Sequence, residues 1–109
     1  HEDTLTSIAS LGAILNSVGD FDEARPLLEE ALLLRRQTLG EGHLETMNSM
    51  QLLGRCLVGA AEEGAGLALL EEAARTSRRV LSEAHPSARH FGQMLAEAIE
   101  GVAAGSAQR

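Results

Sequence analysis

The chain has 109 residues and a net charge of −7, and all nine of its basic residues are arginine. An acidic domain without basic clusters lacks the electrostatic footprint that nucleic acid or an anionic membrane surface requires. No apolar run approaches the ~20 residues that span a bilayer, which argues against direct membrane insertion. Phe21 and Phe91 are the only aromatics, so the core must be filled by Leu, Ile, Val, Met and Ala. These favour helices, and the scarcity of β-branched residues leaves strands poorly supported. The lone Cys56 forms no internal disulfide. No signal or transit segment is visible, yet His1 is not an initiator methionine. The expectation is a processed or excerpted soluble piece, cytoplasmic by default, with a removed targeting segment left open.

In chain order, Ile8, Leu11, Ile14, Leu15 and Val18 recur at helical spacing and predict a helix A over about residues 4–18 with this stripe turned inward. Gly19-Asp20 ends it, and Asp20 with Glu23 reads as a capping box opening helix B. Helix B carries Ala24, Leu27, Leu28, Ala31, Leu34 and Leu39 and stops at Gly40-Glu41-Gly42. Pro26 removes one interior hydrogen bond, so a slight kink or delayed start is expected there. A second helix A follows with Met50, Leu53 and Leu57 inward, then a second helix B over about 62–81. Its entry, Glu62–Gly66, has two glycines and no good cap, and is expected to be the most mobile internal segment. A third helix A over about 87–101 carries Phe91, Met94, Leu95, Ala98, Ile99 and Val102, with Phe91 and Met94 as a possible apolar edge. Residues 103–109 are small and polar and are expected to fray.

These elements repeat. His1, His43 and His85 lie 42 residues apart, and residues 1–42 slid onto 43–84 without a gap share 14 identities. Chance gives about two or three. The identities include Thr4/Thr46, Leu11-Gly12/Leu53-Gly54, Leu27–Ala31/Leu69–Ala73, Arg36/Arg78 and Leu39/Leu81. The Leu-Gly of helix A, the small residue at Ala24 or Gly66, the large one at Leu28 or Leu70, and Ala31/Ala73 resemble the tetratricopeptide repeat. The phrases HEDTLTSIASLGAIL, GDFDEARPLLEEALLLRRQTLGEGH and RRVLSEAHPSAR are similar to the kinesin light chain type of that repeat. Two departures stand out: Leu44 where that type usually has proline, and the weakened entry at Glu62–Gly66. The resemblance implies an all-α, right-handed helical-hairpin solenoid of about two and a half repeats and five helices. Its parts are repeat 1 (1–42), repeat 2 (43–84), a capping helix (85–102) and a tail (103–109).

Little in the chain suggests chemistry. Histidines one repeat apart are too far from one another to share an ion, and read instead as corner residues that cap or pack each turn. His85 and His90, five apart, do not share the helical face that a zinc pair needs. Cys56 reads as a small core residue. The acid pairs Glu29-Glu30, Glu62-Glu63 and Glu71-Glu72 point about 100° apart on a helix and read as solvated faces. Arg75, Arg78 and Arg79 suit the C-terminal end of a helix. The expectation is no enzyme, no metal and no cofactor.

The resemblance further implies that the A helices line a concave groove. Its positions fall on Thr6, Ala9, Ala13, Asn16 and Ser17; on Asn48, Gln51, Arg55, Val58 and Gly59; and on His90, Gln93, Glu97 and Glu100. The amides could hydrogen-bond a peptide backbone, and Arg55 could anchor a carboxylate. The reading is a scaffold that presents this groove to a peptide or partner protein. Two others are an assembly subunit docked by an edge or convex face, and an accessory segment of a larger signalling protein or enzyme.

Overall fold

The computed structural model describes residues 2–107, which form five helices: α1 (Glu2–Ser17), α2 (Phe21–Leu39), α3 (Leu44–Gly59), α4 (Glu63–Leu81) and α5 (Pro86–Ala107). The expected break after residue 102 does not occur. Ala103, Ala104 and Ala107 are strong helix formers, and α5 runs through them. His1 and residues 108–109 lie outside the described residues.

Successive helices pack as antiparallel hairpins in two layers. α1 approaches α3, and α3 approaches α5, whereas α2 and α4 make no close backbone approach. The A helices therefore form the tighter, inner layer and the B helices the splayed outer one. The main core lies between them, built from Ala24, Leu28, Leu32, Met47, Met50, Leu53, Cys56, Leu57, Ala73, Ala74 and Phe91. A smaller cluster of Leu5, Ala9 and Ala31 joins α1 to α2.

The inward stripe expected of α1 is only partly inward. Leu5, Ala9 and Gly12 are buried, but Leu11, Ile14 and Val18 are 50%, 60% and 72% exposed. Periodicity marks these residues as apolar; α2 covers the neighbouring face of α1. Phe91 is also not an edge: it is 2% exposed at the heart of the core.

Local signals at the helix ends divide. His43 caps α3, its Nδ1 accepting from the Glu45 amide at 3.1 Å, and His85 does the same for the Ser87 amide at 3.1 Å. The capping box at Asp20 does not form. Asp20 sits at the N-cap with ψ 68, outside the extended region, and its side chain accepts no hydrogen bond from the helix. α2 runs unbroken through Pro26, which lies on its exposed face. The glycine-rich entry of α4 is helical from Glu63. Gly66 is required there because a Cβ on it would lie 2.6 Å from the Gly54 carbonyl, so α3 and α4 cross at backbone contact.

Ion pairs stitch the repeats on the outer layer. Arg25 of α2 pairs with Glu62, and Arg36 of α2 reaches Glu72 of α4 at 2.9 Å and Glu41 at 2.8 Å.

Candidate functional site

The inner layer carries two open troughs, one on each side of α3. The first, about 320 Å³, is lined by Thr6, Ala9, Ser10 and Ala13 of α1 and by Asn48, Gln51 and Leu52 of α3, with Arg35 and Glu45 at one end. The second, about 330 Å³, is lined by Arg55, Val58 and Gly59 of α3 and by Met94, Glu97 and Ala98 of α5. Both are at the small end of ligand-site volumes, which suits side chains of a linear segment better than a compact cofactor.

Nine of the fourteen positions expected from sequence line these troughs: Thr6, Ala9, Ala13, Asn48 and Gln51 the first, Arg55, Val58, Gly59 and Glu97 the second. Of the other five, Glu100 lines neither trough and four are engaged within the fold. Asn16 Nδ2 donates to the Leu52 carbonyl at 3.4 Å, tying α1 to α3, while its Oδ1 is buried without a partner among the described residues. Ser17 Oγ donates to the Ala13 carbonyl at 3.0 Å. His90 Nε2 lies 3.4 Å from Gln51 Nε2, which links α5 to α3. Gln93 Nε2 donates to Glu97 Oε1 at 3.3 Å along α5. Arg55 is exposed and holds no ion pair among the described residues. It is therefore available to a ligand carboxylate.

Sequence reasoning missed Arg35, Glu45, Ser10, Leu52 and Met94. Arg35 is 7% exposed, donates from Nη1 to Ser49 Oγ at 2.8 Å, and holds Glu45 Oε2 at 3.3 Å. Its signal was an arginine four residues beyond Ala31 and seven beyond Leu28, within the apolar stripe of helix B. Leu52 and Met94 are related by the 42-residue register to Ser10, one position along from the expected row Ala9, Gln51, Gln93.

Among the acids, Glu29 and Glu62 face Arg25, Glu71 faces Arg75, and Glu72 faces Arg36. Cys56 is fully buried, its Sγ contacts the Phe21 carbonyl at 3.5 Å, and burial pushes its thiol up from its ordinary range. Among the described residues no three His, Cys, Asp or Glu side chains gather as metal ligands, and no helix is long and apolar enough to cross a membrane.

The model of the Tetratricopeptide repeat family matches residues 3–79, from the first turn of α1 to the last turn of α4. The chain belongs to the tetratricopeptide repeat family. A comparison with curated proteins finds no relative. Tetratricopeptide repeats are non-enzymatic protein-interaction modules in general.

Proposed function

We propose that this tetratricopeptide chain is a non-catalytic module whose inner face binds an extended peptide segment of a partner protein. The observation that carries the reading is the pair of adjacent troughs flanking α3, with Asn48 and Gln51 lining the first and the exposed Arg55 lining the second. Packed helices lie about 10 Å apart, so a strand crossing three A helices spans about 20 Å, or about six residues at ~3.3 Å each. Asn48 and Gln51 would hydrogen-bond its backbone, and Arg55 would take an acidic side chain or terminal carboxylate. The 42-residue period supports the kinesin light chain type of repeat. The exposed stripe on α1 favours a second reading, an assembly subunit docked by its edge.

Selection of random twelve-residue peptides on the intact chain tests the groove. Selected peptides should contain an acidic residue and lose at least about tenfold in affinity with Arg55→Glu, the loss of ~1.4 kcal/mol or more. Their amide shift changes should map to α1, α3 and α5. Binding that survives Arg55→Glu together with Asn48→Ala, and maps to α2 and α4, would refute it.

A further inference from the structure

A further cavity, of about 240 Å³, lies between the first turns of α1 and α3 and the last turns of α2. Leu5, Leu34 and Arg35 are its buried or half-buried floor, and Thr6, Thr38 and Leu39 its exposed rim. Glu45 joins the rim from the second repeat, so both repeats supply the walls. At ~30 Å³ for each water-sized group, this volume holds about eight non-hydrogen atoms.

The lining is apolar apart from one buried charge and its partner. Arg35 is 7% exposed and stays protonated. A guanidinium taken out of water needs an anion beside it. Among the described residues the carboxylate it holds is Glu45, 3.3 Å from Nη2. That exceeds the about 2.7–2.9 Å of a well-formed charge-assisted bond. The Glu45 side chain is half exposed, so it returns to water at little cost. A free carboxylate has no helix backbone holding it back and can present both oxygens to the guanidinium.

The hairpin stack does not require this charge pair. In the 42-residue register Ser77 stands for Arg35 and Ser87 for Glu45, and α4 packs on α5 with neither charge. Arginine and glutamate are replaced together, as befits one site and not one scaffold position.

We propose that this cavity binds a small apolar monocarboxylate of about six carbons. Its tail rests on Leu5, Leu34 and Leu39, and its carboxylate takes the place of Glu45 on Arg35. The cavity meets the first trough at Thr6, Arg35 and Glu45, but neither Asn48 nor Gln51 lines it. It therefore takes its ligand whether or not the troughs take a peptide.

Hexanoate titrated into the full chain, followed by amide and arginine side-chain shifts, tests the assignment. Shifts should saturate and centre on Leu5, Leu34, Arg35 and Glu45. Affinity should fall about tenfold or more for hexanamide, which keeps the shape without the charge, and for acetate, which lacks the tail. Glu45→Gln removes the competing carboxylate and should tighten hexanoate by about threefold or more. Glu97→Gln, which changes a carboxylate in the trough of Arg55, should leave it unchanged. Thr38→Phe on the exposed rim narrows the mouth and should weaken binding about tenfold. No saturable binding, equal affinity for hexanamide, shifts centred on Arg55, or no gain with Glu45→Gln would overturn the proposal. So would a leucine-terminated peptide that displaces hexanoate and binds more tightly, because the carboxylate would then be a chain terminus.

Discussion

Arg35 of α2 reaches across the layer boundary to donate to Ser49 of α3 at 2.8 Å, from a position only 7% exposed. Its carboxylate partner Glu45 is half exposed, so the two ends of this ion pair sit in different dielectrics. Removing the arginine deletes a packed stem and leaves the Ser49 hydroxyl, 1% exposed, without that donor. Removing the glutamate charge leaves a guanidinium that still has Ser49.

Arg35→Ala should therefore cost about 2 kcal/mol and lower Tm by about 10 °C for a domain of this size. Glu45→Gln should cost under about 0.5 kcal/mol, as for other half-exposed pairs. Urea unfolding of the two variants measures both. Equal losses would show that the charge pair, and not the buried hydrogen bond and stem, holds the α2–α3 boundary.

Two turns of the second repeat are strained where those of the first are not. Gly19 and Gly40 have φ 86, and their counterparts Ala61 and Ser82 have φ 68 and 93. Ser82 also has ψ 158, a region that belongs almost wholly to glycine. Ala61→Gly should stabilise by about 0.5–1 kcal/mol and Ser82→Gly by about 1–2 kcal/mol. Thermal unfolding of each variant decides it; a loss of stability in Ser82→Gly would mean that the turn relaxes when carrying a side chain.

Cys56 is fully buried, and burial raises its thiol pKa, opposed by Arg25 and reinforced by Glu29 and Asp22. The folded chain thus holds this proton more tightly than the unfolded chain. Its contribution is fully present below the unfolded thiol's ordinary value of 9.0 and is lost as pH rises towards the folded value. The native thiol should be inert to a disulfide reagent at neutral pH and react at the full rate in denaturing urea. Cys56→Ala should flatten the alkaline fall in stability, and fast native labelling would contradict the burial.

Much of the candidate site was legible because translation by 42 residues carries one helix's inner row onto the next. Thr6, Asn48 and His90 form one such row and Ala13, Arg55 and Glu97 another. Five of these six line the troughs, Ala13's row in full and the other row without His90. Asn16 and Ser17 line neither trough: Asn16 Nδ2 donates to the Leu52 carbonyl and Ser17 Oγ to the Ala13 carbonyl, which position alone does not reveal. Asp20 had the residue type for a cap and the wrong backbone dihedral for it.

The sequence by itself determined the five helices, their pairing into repeats and the histidine caps, because these depend on spacing and on residues two to four positions apart. Only the tertiary structure decided which apolar and polar residues are covered. Leu11 and Leu53 are the same residue at the same register, one 50% and the other 5% exposed. Ser7 and Ser49 differ in the same sense. Burial is set by the helix that a neighbouring repeat lays across a face, and that neighbour is a property of the stack and not of the local pattern.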